Sequence, residues 1–395
     1  MSTEPNAGLS RRDFITLSAL GIAGCALPRG AVTTPEQERM LYVGTYTDDH
    51  RSKGIYLLRL SPATGALSIA GVAAETVNPS FIALSPNGES AFAVNEIGDV
   101  DGKPGGMMTA FQRNAVSGTL GSADIESTKG AAPCYVSTDR SGRLLFVANY
   151  SSGSVAMFPI LANGGIGAMS GFIQHHGHGP DAERQEGPHA HCAIPDPANK
   201  FVLVADLGLD RIMVYRFDAG AGTLSTSTSA QGILAPGSGP RHLAFHPGGR
   251  VVYVTNELNS TVSAFRYEPE TGSLTELQTV PAVSGSTVPN APADIHLHPS
   301  GRFLYMSNRG HNSISVFAID AGSAMLTPVQ VVSTEGDWPR NFAIDPSGDF
   351  LIVANQRSDS IHSFRIDAAT GRLTSTGQRV ALPAPVCVRY FAAPA

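Results

Sequence analysis

One unit recurs along this chain: a proline, an apolar run, a Pro/Asp-x-Gly turn, a second apolar run, and then an asparagine. It spans Pro79 to Asn95, Pro133 to Asn149, Pro240 to Asn256, Pro292 to Asn308 and Pro339 to Asn355, with the same sixteen-residue separation in all five copies. A sixth copy, Pro188 to Asp206, is two residues longer and carries Pro195-Asp-Pro-Ala-Asn in place of the glycine turn. The closing positions 95, 149, 206, 256, 308 and 355 advance by 47–57 residues. That is the period of a four-stranded propeller blade. A β-sandwich has no reason to repeat one spacing five times.

The seventh copy is split between the chain ends. Pro385-Val-Cys-Val-Arg-Tyr-Phe begins a unit that the C-terminus cuts short, and Met40-Leu-Tyr-Val-Gly-Thr-Tyr-Thr reads as its missing second strand. Gly54-Ile-Tyr-Leu-Leu-Arg-Leu follows as a third strand. Third strands recur in the other copies, as at Ser154-Val-Ala-Met-Phe and Ser360-Ile-His-Ser-Phe-Arg-Ile, and Thr-Gly-x-Leu at 271–274 and 370–373 marks the turn into a fourth. The 42 glycines and 27 prolines suit many short strands joined by turns. The expected fold is therefore all-β: a seven-bladed β-propeller of four-stranded antiparallel blades, its ring closed by N-terminal strands completing the C-terminal blade. Closure leaves no open repeat end.

The first thirty residues read differently. Ser10-Arg11-Arg12-Asp13-Phe14-Ile15 leads into an uncharged apolar stretch ending at Pro28, which resembles a twin-arginine (Tat) export signal. The stretch is too short for a membrane span. Ile22-Ala23-Gly24-Cys25 resembles a lipobox, so either lipidation at Cys25 or cleavage near Gly30 is open. The expected organisation is a signal over 1–30, a linker over 31–39 and the propeller over 40–395. The expected location is periplasmic or otherwise extracytoplasmic, the Tat export machinery is an expected partner, and a lipid anchor at Cys25 remains possible.

The repeat also locates a site. A hairpin returns the chain to the side it left, so residues just after each proline and just after each asparagine share one face of the ring. After the prolines stand Ser80, Cys134-Tyr135, His189-Ala190-His191, Arg241-His242, Ala293-Asp294, Arg340-Asn341 and Val386; after the asparagines or their equivalent stand Glu96, Tyr150, Leu207, Glu257, Arg309 and Gln356. Arginines, histidines and glutamates meeting on one axis suit a small anionic or polyhydroxylated ligand. The polar segment from His175 to His191 precedes one innermost strand, and Val100 to Gly106 inserts beside Asn95. Long loops at one rim of a scaffold often carry function.

The bulk chemistry excludes other classes. A net charge of -6, with no basic run, argues against nucleic acid. Cys134, Cys192 and Cys387 sit in apolar runs and read as buried thiols, although an oxidising compartment would permit a disulfide. His175, His176, His178 and Asp181 offer zinc-type ligands, but their spacing matches no established pattern, and no metal or other cofactor is expected.

At this point the chain resembles the seven-bladed lactonase family, the propeller-type 6-phosphogluconolactonases, over roughly residues 40–393. The resemblance rests on Gly44-Thr-Tyr-Thr, Asn78-Pro-Ser, Asn149-Tyr, Arg184-Gln, Pro188-His-Ala-His, Asp206-Leu-Gly-x-Asp210, Gly239-Pro-Arg-His, Asn256-Glu-Leu, Ser307-Asn-Arg-Gly and Trp338-Pro-Arg. The chain is similar also to propeller-type carboxymuconate cyclases, whose functional His, Arg and Glu types are matched by His189 or His191, Arg241, Glu257 and Arg309. The resemblance implies metal-independent ester chemistry on a cyclic sugar acid. The expected catalytic set is His189, Glu257, Arg241 and Arg309, with Glu257 or His189 as general base or acid and the arginines at the oxyanion or a substrate anion. His191, His242, Arg340, Tyr150, Arg184, Gln356 and Glu96 are expected to bind substrate. A muconate-type lactonising isomerase and a non-enzymatic propeller binding a sugar or a protein are the alternatives. Read structurally instead, Arg241 and Glu257 would be an ion pair that locks neighbouring blades together.

Overall fold

In the computed structural model, residues 38–391 are described, apart from the side chains of 122–123 and 226–229. The chain divides into Met1–Glu36 and Gln37–Ala395, and the described residues all belong to the second unit. The expected export signal, Cys25 and most of the linker lie outside them.

Apolar runs between glycine turns form seven four-stranded antiparallel sheets arranged as a ring of blades, with almost no helix. The innermost strands, blade by blade, are Ile82–Leu84, Pro133–Thr138, Ala190–Pro195, Pro240–Phe245, Ala291–Leu297, Pro339–Ile344 and Pro385–Tyr390. The last of these pairs with Arg39–Thr45, Leu41 opposite Tyr390 and Tyr42 opposite Arg389. Gly54–Leu60 and Leu67–Glu75 complete the seventh blade, closing the ring as expected.

The sixteen-residue spacing is the hairpin register itself. Pro133 pairs with Asn149, Pro240 with Asn256, Pro292 with Asn308 and Pro339 with Asn355. Each asparagine is buried. The Asn256 amide donates to Thr261 and Ser263, and that of Asn308 to Ser313 and Ser315, tying the second strand to the start of the third.

Neighbouring blades share cores. Phe146 and Met157 of the second blade pack with Val202 and Tyr215 of the third, and Val43 and Leu58 of the seventh with Ile352 and Ile361 of the sixth. Each such large side chain taken from water contributes about 1.5–3 kcal/mol. Tyrosine hydroxyls add directional links. Tyr42 donates to Gly118 at 2.7 Å, Tyr253 to Ala324 at 2.8 Å and Tyr305 to Gly371 at 2.8 Å, each reaching the adjacent blade. Cys134, Cys192 and Cys387 are free and buried. The insertion beside Asn95 is a small hairpin, Asp99–Val100 against Lys103–Pro104.

Candidate active site

Immediately after the proline position, register shifts interrupt six of the innermost pairings. They fall between Pro133 and Tyr135, Ala190 and Cys192, Pro240 and Leu243, Pro292 and Ile295, Pro339 and Asn341, and opposite Pro385. A β-bulge leaves its extra residue out of the ladder and re-aims side chains. Here the bulged residues include Cys134, His191, Arg241-His242, Ala293-Asp294 and Arg340, where the ring's axis passes. This is how adjacent residues such as Arg241 and His242 both become buried against the channel, at 1% and 4% exposure.

At the mouth of this channel lies a cavity of about 190 Å³ lined by Glu96, Cys134, Tyr150, Arg184, His191, Glu257, Arg309 and Arg340. Glu257 is its electrostatic centre. Arg184 donates to Oε1 at 2.7 Å, Arg309 to Oε2 at 2.5 Å, and Arg241 Nε stands 3.1 Å from Oε2 in poor hydrogen-bond alignment. Burial works to raise the Glu257 pKa, yet the charges of Arg309, Arg241 and Arg184 outweigh it and hold it well below the usual carboxylate range. Burial, reinforced by the charges of Arg309 and Arg340, pulls Arg241 down to about 10. It remains a cation at neutral pH. Across the cavity, Glu96 accepts from the Tyr46 hydroxyl at 2.9 Å and faces Arg340 Nη2 at 3.6 Å.

His191 lies edge-on to Tyr150 and His242, with ring centroids 5.4 and 5.2 Å away. Its Nδ1 is 3.6 Å from the Cys134 sulfur. Burial first, then the charge of Arg241, pushes its pKa well below that of a free imidazole. It is therefore neutral, with a lone pair for a proton. Burial and the charge of Glu96 push the Cys134 thiol up, so it stays protonated.

Arg184 comes from the long loop, which is pinned rather than loose. Gln185, fully buried, donates to Leu207 and Asp210, each at 2.8 Å, and Asp210 in turn accepts from Gly237 and Gly239. Asp206 accepts from the backbone of His189 and Gly208. A Cβ on Gly208 would stand 1.8 Å from the Gly187 carbonyl oxygen, so only glycine lets the loop dock there.

The expected site residues thus separate into layers. Glu257, Arg309, Arg340, Arg184, Tyr150, Glu96 and His191 meet in one cavity. Arg241 lies just behind Glu257. His242 stands deeper, its Nε2 3.2 Å from Arg241 Nη1 and its Nδ1 2.8 Å from Asp294, so its contacts are with protein groups. His189 is stacked behind Tyr150 at 4.5 Å, its ring nitrogens facing the Tyr150 carbonyl and Glu186, and it does not line the cavity. Gln356 lines a neighbouring groove instead. Of the two bases that residue type allowed, Glu257 is held anionic by three guanidinium groups and His189 is turned away. His191 brings a neutral imidazole to the wall that also holds Glu96 and Glu257. Cys134 also lines the wall, and only its place after the proline pointed to it. The loop histidines do not converge: His175 is buried against Asp206 at 2.6 Å, while His176 and His178 are exposed. Among the described residues, no three His, Cys, Asp or Glu side chains gather as metal ligands would.

Comparison with known proteins identifies the family. The family model described as "Lactonase, 7-bladed beta-propeller" matches residues 40–390. The chain is 39% identical over 350 residues to a 6-phosphogluconolactonase of Bacillus subtilis, covering 88% of this chain and 97% of that one. It is 34% identical over 300 residues to a 6-phosphogluconolactonase of Formosa agariphila, covering 75% and 84%. The solved structure of a periplasmic gluconolactonase from Pseudomonas aeruginosa superimposes with a TM-score of 0.83 at 35% identity, covering 91% of this chain and 100% of that chain. The chain belongs to the seven-bladed β-propeller lactonase family.

Proposed function

We propose that this protein hydrolyses the lactone of a sugar acid in the cavity around Glu257. The observation that carries the reading is a neutral imidazole, His191, lining the same small cavity as Arg184, Arg309 and Arg340. The named relatives support the substrate class. Water attacks the lactone carbonyl carbon while His191 takes its proton. The oxyanion that forms is stabilised by guanidinium groups whose positions Glu257 fixes in advance. Collapse breaks the ring C–O bond, and the imidazolium returns its proton to the departing alkoxide. The product is an open-chain hydroxy acid. Glu257 is then the organiser of the arginines, not the base.

The test is a pH-indicator assay of the protein against a panel of sugar lactones, with and without a phosphate. Turnover above the spontaneous rate is expected for at least one of them, and its absence from every member would leave a binding propeller in place of an enzyme.

We further propose that Arg11-Arg12 and the apolar stretch after them direct export by the Tat route, and that Cys25 is a candidate lipid-attachment site. Replacing both arginines by lysine should hold the protein in the cytoplasm on cell fractionation. Unchanged export of that variant would refute the route.

A further inference from the structure

Behind the cavity, a buried chain of polar side chains plays no part in the hydrolysis as written above. Arg241, His242 and Asp294 are exposed by only 1%, 4% and 2%. Arg241 and His242 come from the bulge of the fourth blade, and Asp294 from that of the fifth. Arg241 Nη1 donates to the Ala293 carbonyl at 2.6 Å and stands 3.2 Å from His242 Nε2. His242 Nδ1 is 2.8 Å from Asp294 Oδ1. Asp294 Oδ2 faces His296 Nε2 at 2.9 Å, the Asn341 amide at 2.5 Å and the Phe342 backbone N–H at 3.3 Å.

Chemistry fixes the protons along this chain. A guanidinium has donors and no acceptor, and an ionised carboxylate has acceptors and no donor. Burial first, then the charge of Arg241, pushes the His242 pKa down to about 3, so its ring is neutral. Burial works to raise the Asp294 pKa, yet His296 and the hydrogen bonds from His242 and His296 hold it well below the usual carboxylate range. The His242 proton therefore sits on Nδ1, facing Asp294, and Nε2 accepts from Arg241. The ring carries orientation from a buried anion to a buried cation without pairing them directly. Arg241 Nη1 is thereby spent on protein acceptors. Nε and Nη2 share another edge of the planar guanidinium. Nε faces Glu257 Oε2 at 3.1 Å, and Nη2 has no protein acceptor among the described residues.

We propose that His242 and Asp294 are positioning residues of the hydrolysis: they hold Arg241 by Nη1, so that its Nε–Nη2 edge is turned to Glu257 and the back of the cavity. This rests on the lactonase reading above and adds to it two residues that touch no substrate. Arg241 is the one member of the cluster around Glu257 that approaches from the axis, and it needs an anchor of its own. A guanidinium free to turn would lose its aim before negative charge develops on the lactone, and donors stabilise that charge only when they are fixed in advance.

The experiment pairs two His242 variants that a merely structural role would rank the other way. The side-chain oxygen of His242→Gln can stand where Nε2 stands and accept from Arg241. The amide of His242→Asn matches Nδ1 instead, keeping the bond to Asp294 and leaving Arg241 Nη1 without its ring acceptor. On the best lactone of the panel, His242→Asn should lose about tenfold to a hundredfold in kcat with KM within about threefold of the parent, short of losing an oxyanion donor outright. His242→Gln should recover most of that rate, although thermal unfolding should show it to be no more stable. Equal rates in the two variants, or a faster His242→Asn, would overturn the proposal. A second measurement needs no turnover: the nitrogen-15 spectrum of the histidine-labelled protein, with the His242 signals identified by their loss in His242→Gln. The parent should show His242 protonated at Nδ1 and bare at Nε2. In Asp294→Asn, the donors around Oδ2 hold the amide oxygen, the amide N–H faces His242, and the ring proton should move to Nε2. A parent ring protonated at Nε2, or at both nitrogens, overturns the anchor whatever the kinetics. If no lactone is hydrolysed, the lactonase reading fails by itself, and the spectrum alone sustains or overturns the anchoring of Arg241.

Discussion

The two ends of the innermost hairpins use polar residues in opposite ways. At the end away from the cavity, one position in six of the seven blades repeats a single job. Asp139 accepts from Arg143 and Leu144 backbone amides at 2.6 and 2.8 Å, Asp196 from Lys200 and Phe201 at 2.7 and 2.8 Å, and Asp345 from Phe350 at 2.7 Å. Ser85 does the same for Ser90, and His246 and His298 for Gly248 and Ser300. The two histidines also reach the next blade, at Gly301 and Gly348. At the cavity end the group changes around the ring: Glu96, Tyr150, Glu257 and Arg309 occupy equivalent places after the asparagines, so carboxylate, phenol and guanidinium stand where a repeat would put one residue type. Polarity that repeats from blade to blade holds turns together, because every turn has the same orphan amides. Polarity that changes from blade to blade builds a site, because a substrate has no sevenfold symmetry.

The sharpest way to break this comparison is Glu257→Gln. The amide cannot hold three guanidinium groups, so kcat/KM should fall by about 10²–10³-fold, comparable to losing an oxyanion donor. Removing one charge from a buried cluster also costs stability, about 3–5 kcal/mol at most. Lactone hydrolysis and thermal unfolding measured on the same preparation decide it. A destabilised variant with undiminished turnover would reduce Glu257 to a clamp between blades.

Much of this division was legible in the sequence. The sixteen-residue spacing carried the hairpin register, and the split seventh copy carried the closure. Of the residues after the asparagines, Glu96, Tyr150, Glu257 and Arg309 meet in one cavity, because the register is regular there, while Gln356 lines the neighbouring groove. The residues after each proline were harder. In an unbroken strand His189 and His191 point the same way, since side chains alternate with a period of two, and nothing in the residue types separates them. The bulge between Ala190 and Cys192 breaks that alternation. It leaves His191 in the cavity wall while His189 stacks outside it against Tyr150. Bulges follow from sheet curvature, which residue types in a single strand do not encode. Arg184 was suggested only by family resemblance, because its approach depends on a loop pinned by Gln185 and Asp210.

A smaller effect, of opposite kind, is expected at the far end. Asp196 is fully buried and also accepts from the Tyr267 hydroxyl at 3.0 Å. Asp196→Ala strands those donors and should cost about 1–3 kcal/mol, seen as a lower midpoint in denaturant. Its kcat/KM should stay within about twofold of the parent, since no contact joins it to the cavity. A tenfold loss of activity with unaltered stability would erase the distinction between the two ends.

The smallest effect is a displacement along the pH axis. Burial and the Arg241 charge lower the His191 pKa, so the proton that would disable it as a base binds only in acid well below the ordinary histidine range. Its neutral form is the active one. Turnover should therefore be level from neutrality down through pH 6.5 and decline only beyond it, whereas an unperturbed imidazole would already be half-protonated near its ordinary value of about 6.5. The far-end histidines give the contrast: His246 and His298 serve as turn acceptors, so His246→Asn should leave the acid limb of the rate profile where it stands. His191→Asn should remove the limb together with most of the rate. An acid limb centred at or above pH 6.5 in the parent, or one that persists in His191→Asn, would assign the proton to another group.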